Sequence, residues 1–237
     1  VRLDKYISEC GVCSRTEAAR AVRTGALLVN GLPVRSASCD IVPERDMVTY
    51  NGVPVKDRRN CFWMLHKPQG VVSATEDGKD PTVLDLLPPE LRRIGLFPCG
   101  RLDKNTTGLV LLTNDGQLAH QLLAPKNHVE KKYLFTVKFP YSDEDASAIE
   151  AGLDIGGYVT APCRMERFDE TSGAIWLTEG KYHEIKLLME ARHNQIRSLQ
   201  RVSFGPIVLP PDLEQGAFRE LTADEMAALR AAVSHKT

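Results

Sequence analysis

The sequence has almost no net charge. Its 30 Lys and Arg face 31 Asp and Glu, for a formal charge of −1. Such a balance excludes a uniformly basic chain that holds polyanions by charge alone. Long hydrophobic runs are missing too, and no stretch approaches the roughly 18 apolar residues of a membrane span. Asp4, Lys5 and Glu9 interrupt the first residues, which therefore do not read as a leader, and a cytoplasmic location is expected. Cysteines are few and scattered. Cys10 and Cys13 form one CGVC pair, but no second CxxC and no nearby histidine completes a zinc site. Metal and redox use are therefore set aside in favour of buried thiols in a reduced compartment. Internal repeats and low-complexity segments are absent as well.

What remains is a globular composition, 43% hydrophobic and 26% charged, over 237 residues. That length accommodates two domains. Charge is divided unevenly between them. Residues 1–60 hold 10 Lys and Arg against 7 Asp and Glu, and the rest hold 20 against 24. A modestly basic N-terminal module on an acidic body fits local phosphate contact.

The first fifty residues read as a small α+β unit. Leu3, Tyr6, Ile7 and Cys10 recur at a helical period. Ser14 and Glu17 form a capping box that starts a second helix, which Gly25 closes. Ala26–Val29 and Leu32–Val34 flank Asn30-Gly31 as a hairpin, and Met47–Tyr50 leads into a second turn at Asn51-Gly52. Arg15, Arg20 and Arg23 span about 140° of the second helix. Alone they could be an ordinary solvated face. Residues 53–60, VPVKDRRN, read as a linker between residues 1–52 and a second domain over 61–237.

That domain opens on a strand at Cys61–Leu65 ending in HKPQG. One short helix is expected among the prolines of residues 73–93. A helix over Gln117–Leu123 follows, then a strand in which Tyr133, Phe135, Val137 and Phe139 share a face. Ser142–Ala151 reads as a helix, Tyr158–Cys163 and Ala174–Thr178 as strands. After Gly180 a helix turns Ile185, Leu188 and Met189 inward, with Lys186 on another face. RVSFGPIVLP is a strand closing on Gly205-Pro206, and Thr222 with Glu225 caps a last helix.

Residues 97–116, FPCGRLDKNTTGLVLLTNDG, organise the rest. A polar loop feeds the apolar run Leu109–Leu112, short and β-branched enough for a buried strand. Asp103 thus sits in a loop anchored to the core, after Arg101 and before Lys104. A carboxylate fixed between cations suits a nucleophile or a general base. It could equally cap the turn, as loop aspartates often do.

GRLD-x-x-TTGL followed by LTNDG resembles the active-site motif of pseudouridine synthases, specifically the ribosomal small-subunit pseudouridine synthase A type. The likeness runs almost the length of the chain. Residues 2–34 resemble the S4 RNA-binding domain, whose second helix and hairpin grip RNA. The resemblance implies an α+β fold, with a small S4-like module followed by a catalytic domain built on a mainly antiparallel mixed sheet flanked by helices. It implies isomerisation of uridine to pseudouridine in 16S ribosomal RNA, with Asp103 as catalytic carboxylate and no cofactor or metal. Asp103 could attack ribose C1′ or uracil C6, or remove a ribose proton. K-x-Y matches Lys131-Lys132-Tyr133, so Tyr133 would stack on a flipped uracil; from its pattern alone it could be a core tyrosine. EGK-x-H-x-x-K matches residues 179–186, so Lys186 would pair with Asp103. KP-x-G matches Lys67, Pro68 and Gly70. Arg101, Arg15, Arg20, Arg23 and Lys67 are candidate RNA contacts. Two positions depart from the motif: Glu184 stands where Gln is frequent, and Leu187 where a second cation is common.

The expected partner is ribosomal RNA or an assembling small subunit, met by a monomer without membrane contact. Three alternatives stand beside this reading. One is a large-subunit ribosomal RNA pseudouridine synthase of the same architecture. Another is a non-catalytic S4 RNA-binding or assembly factor. The third, a hydrolase using Asp103 with water, would need a second acid or a metal cluster.

Overall fold

The computed structural model describes residues 1–234. The chain divides into two compact units. One comprises Val1–Cys61 with Leu84–Phe97 and Thr113–Asp115; the other comprises Phe62–Val83, Pro98–Leu112 and the described residues from Gly116 on.

In the first unit, helices α1 (Leu3–Glu9) and α2 (Arg15–Arg23) pack beside strands β1 (Leu27–Val29), β2 (Leu32–Pro33), β3 (Val48–Tyr50) and β4 (Val53–Pro54). The strands run in the order β2-β1-β3-β4, all antiparallel. Ser14 and Glu17 form the expected capping box on α2. Both Asn-Gly turns take left-handed backbone at each residue, with φ 53° and 76° at Asn30-Gly31 and 50° and 78° at Asn51-Gly52. That is the turn whose twist suits a two-residue hairpin. Leu3, Ile7, Ala18 and Leu27 are fully buried between the helices and the sheet. The segment read as a linker begins inside this sheet, because Val53 and Pro54 pair with Tyr50 and Thr49.

The first unit also draws in later residues. The Asn114 amide donates to the carbonyls of Arg58 (2.9 Å) and Ile94 (3.1 Å), and its oxygen accepts from the Cys61 N–H (3.0 Å). Helix α3 (Pro89–Arg92) lies in this segment and is the short helix expected among the prolines.

The second unit is built on one large sheet. Its strands are β5 (Phe62–Lys67), β6 (Phe97–Cys99), β7 (Thr107–Thr113), β8 (Lys131–Val137), β9 (Arg164–Arg167), β10 (Ser172–Leu177), β11 (Ile196–Phe204), β12 (Ile207–Val208) and β13 (Phe218–Glu220). Their order is β13-β5-β7-β11-β8-β10-β9, with β12 on β11 and β6 on β7. Strands β7 and β11 run parallel, whereas β11 with β8, β8 with β10 and β10 with β9 are antiparallel. Helices α4 (Gly116–Leu123), α5 (Asp143–Ala151), α6 (Glu184–Ala191) and α7 (Ala223–Ser234) complete an α+β unit. Leu109–Leu112 is fully buried in β7, as the apolar run predicts.

Gly108 makes the parallel contact feasible. A Cβ there would lie 2.2 Å from the Arg201 carbonyl oxygen and 2.6 Å from its nitrogen. Its φ of 106° also disfavours a side chain.

Two strand assignments differ from the sequence reading. Tyr158–Cys163 is irregular apart from one bridge, Asp154 with Val159. Scattered bonds replace a ladder here: the Thr160 and Cys163 N–H groups bond the Leu153 and Glu150 carbonyls (both 3.0 Å), while Thr160 Oγ1 accepts from the Leu153 N–H (3.1 Å) and Glu179 from the Ala161 N–H (2.7 Å). Phe139 does not share the buried face of Tyr133, Phe135 and Val137. It lies beyond the end of β8 and is half exposed, because Pro140 follows and cannot extend the ladder.

Candidate active site

Asp103 sits in the loop between β6 and β7, and its backbone surroundings are fixed by residues the sequence scarcely singles out. Ser73 Oγ donates to the Leu102 carbonyl (3.1 Å) and accepts from the Leu102 N–H (3.0 Å). Lys67, at the end of β5, donates to the carbonyls of Pro68 (3.0 Å), Lys104 (3.1 Å) and Thr106 (2.8 Å). An ammonium has three hydrogens, so all are used. The Gly70 N–H bonds the Lys104 carbonyl as well, at 2.9 Å. Asp103 is thus flanked on both sides by tethered peptides.

This arrangement corrects the expectation that Lys67 contacts RNA. It is fully buried and has no donor left for a phosphate. Burial pulls its ammonium down to about 8, opposed by the charge of Asp103 and reinforced by that of Lys186. The three carbonyl acceptors favour the charged form.

The cations at the Asp103 carboxylate are also not its sequence neighbours. Lys104 turns away to Asp80, at 2.6 Å. Arg101 is exposed and lines the same cavity as Asp103. Lys186 approaches instead from α6, its ammonium 2.5 Å from Asp103 Oδ2. His183, just before α6, brings Nε2 to 3.5 Å from Oδ1. The sequence reading gives His183 no role. It stands at the histidine of the EGK-x-H-x-x-K match, and that motif position could have found it.

A cavity of about 80 Å³, open to solvent, is lined by Asp103, Tyr133, Lys186, His183, Glu184 and Arg101 among others. Tyr133 is buried on β8, paired across the sheet with Arg201 of β11. The Arg201 guanidinium carbon lies 6.0 Å from the centre of the Tyr133 ring, and Nε donates to the Leu109 carbonyl at 2.7 Å. Arg201 thereby ties β7 to β11 immediately behind the cavity wall.

Glu184 is a second departure from expectation. Its place in the motif puts RNA contact in doubt; in the structure it is buried, 3% exposed. Burial pushes its carboxyl up to about 7, and the nearby Glu179 adds to the rise. The Lys181 N–H, 2.8 Å from Oε2, and the Lys131 ammonium act in the opposite sense.

The ring of Tyr182 is 75% exposed yet stacked on His183, with centroids 3.8 Å apart and planes 17° from parallel. Elsewhere, Arg15, Arg20 and Arg23 are exposed on α2. Among the described residues no group of three or more His, Cys, Asp or Glu side chains is placed to hold a metal ion. No helix among them is long and apolar enough to cross a membrane.

Comparison with known proteins agrees with this architecture. A family model described as RNA pseudouridylate synthase matches residues 61–200, and one for the S4 domain matches residues 1–43. An uncharacterized RNA pseudouridine synthase of Bacillus subtilis (strain 168) is 45% identical over 234 residues, covering 97% of this chain and 98% of that protein. The ribosomal small subunit pseudouridine synthase A of Escherichia coli (strain K12) is 38% identical over 232 residues, covering 97% and 100%. A solved pseudouridylate synthase is 36% identical, with a TM-score of 0.69 over 97% of this chain and 99% of that one.

Proposed function

The chain belongs to the RNA pseudouridylate synthase family, and we propose that it converts a uridine of 16S ribosomal RNA to pseudouridine, with Asp103 as the catalytic carboxylate. The observation that carries this reading is the Asp103–Lys186 pair, closed at 2.5 Å in a cavity walled by Tyr133. The reaction is an isomerisation. The N-glycosidic bond breaks, the base rotates, and C5 bonds to the ribose C1′; C5 gives up its proton and the freed N1 gains one. No atom is gained or lost, so a carboxylate that attacks or removes a proton suffices.

The residues divide the work. A uridine leaves its stack to reach the cavity, at a cost of a few kcal/mol. The tethered loop holds Asp103 in one direction, so little is spent on orienting it at the reacting atom. Lys186 donates to one of its oxygens, and His183 Nε2 stands 3.5 Å from the other. Tyr133 offers a ring for the detached base. Arg101, exposed at the rim, meets a phosphate of the same RNA.

The N-terminal unit, over residues 1–52 with a linker at 53–60, anchors the RNA, and residues 61–237 carry the chemistry. Arg15, Arg20 and Arg23 each neutralise a phosphate. Every phosphate so neutralised steepens the log–log salt dependence of RNA affinity by about 0.7 to 0.9. A monomer acting in the cytoplasm on naked RNA or an assembling small subunit fits this division.

The small-subunit assignment rests on the relatives' names and on TTGL and NHVEKKY in this sequence. The test is to map pseudouridine across ribosomal RNA from cells with and without the protein. One 16S site should revert to uridine in its absence. A missing site in 23S RNA instead would overturn the assignment, and an unchanged map would overturn the reaction on ribosomal RNA.

A further inference from the structure

Tyr182 spends a large aromatic ring on the surface. At 75% exposed it contributes little to any core, yet it is not loosely placed. One face lies on the His183 ring at 3.8 Å, and His183 in turn stands 3.5 Å from Asp103. The backbone enforces this placement, because His183 takes the left-handed conformation, φ 53°, in the turn entering α6. One residue earlier than Tyr182, the Lys181 ammonium sits 4.2 Å from the centre of the Tyr158 ring. Lys181 and His183 line the cavity, and the exposed Tyr182 ring lies against His183 just outside that lining.

Proteins that hold single-stranded RNA use this combination, a cation for the backbone and a flat ring for the base. Extruding one nucleotide leaves its neighbour without a stacking partner on one side. We propose that Tyr182 is a base-stacking site for the nucleotide adjacent to the target uridine, with His183 as its backing and Lys181 meeting the intervening phosphate. The proposal rests on the assigned reaction. It gives Tyr182 a part in binding and none in bond breaking.

The measurement is steady-state kinetics of pseudouridine formation on a 16S ribosomal RNA transcript for wild type, Tyr182→Leu and Tyr182→Phe. Tyr182→Leu should raise KM roughly 5- to 100-fold, the worth of one base–aromatic stack, with kcat unchanged. Tyr182→Phe keeps the ring and should stay near wild type. A Tyr182→Leu KM equal to wild type would overturn the proposal, and so would a Tyr182→Phe as weakened as Tyr182→Leu. Tyr182→Trp gives a separate readout, since the same transcript should quench the emission of the new indole. If wild type makes no pseudouridine in the transcript or in an assembling small subunit, the assigned reaction fails, and the indole signal then decides the stacking site by itself.

Discussion

The backbone and the carboxylate of Asp103 are held by different kinds of neighbour. The backbone side is made of buried groups: Lys67, Ser73 and the close approach at Gly108. The side-chain hydrogen bonds of Lys67 and Ser73 all end on peptide groups. The carboxylate side is made of Lys186 and His183, which are partly exposed and come from one short stretch before and within α6. Buried groups with all donors used build a direction and cannot also bind RNA. Half-exposed groups on a carboxylate can meet a substrate but contribute little to folding. Substitutions on the two sides should therefore part company, the first lowering stability and the second lowering activity.

The largest effect on stability is expected at Lys67. Lys67→Met keeps the apolar stem but removes the donor to three carbonyls; that of Lys104 keeps the Gly70 N–H, while the buried Thr106 carbonyl loses its Lys67 donor. Each buried group left unpaired costs about 1–3 kcal/mol, so the urea midpoint should drop clearly. An unchanged midpoint would show that the loop does not depend on Lys67.

Glu184 should give a smaller, pH-dependent effect. Its folded carboxyl is raised to about 7, above the roughly 4.3 of an unfolded chain. The folded state then binds more protons between these values, so its stability falls as pH rises from about 4.3 to about 7. Glu184→Gln removes that titration. It should exceed wild type in urea midpoint at pH 8 and lose the advantage towards pH 5. A constant difference across this range would exclude Glu184 as the source.

The smallest effect on stability is expected at Lys186, together with a large expected loss of turnover. The pair is partly exposed, with side-chain accessibilities of 26% and 29%. Screening by solvent limits its worth to folding to roughly 1 kcal/mol or less. Lys186→Met should keep a midpoint near wild type while losing most pseudouridine formation, and Lys186→Arg should retain appreciable activity. A Lys186→Met enzyme with normal turnover would separate the ion pair from catalysis.

Legibility in the sequence follows the same division. Local chemistry is readable: both Asn-Gly hairpins, the capping boxes at Ser14 and Thr222, and the buried run Leu109–Leu112. The pairing of Asp103 with Lys186, 83 residues apart, comes from the motif resemblance and not from any local pattern. The cations adjacent in sequence mislead, because the turn points Lys104 at Asp80. Lys67 is singled out by the KP-x-G resemblance, which does not decide between a contact to RNA and one to structure. Its burial is created by carbonyls of a loop 37 to 39 residues away, and nothing near it in sequence reports them. Tyr158–Cys163 reads as a strand, whereas Tyr158 and Val159 are exposed on a loop held by scattered backbone and side-chain hydrogen bonds.

The central claim is that a single carboxylate, fixed through its backbone, performs the isomerisation. The direct measurement is pseudouridine formation by Asp103→Asn on a 16S ribosomal RNA transcript, with RNA affinity measured alongside. Asparagine keeps the shape and removes the charge. Product should fall below detection while affinity stays close to wild type, whereas near-normal turnover by Asp103→Asn would contradict the account.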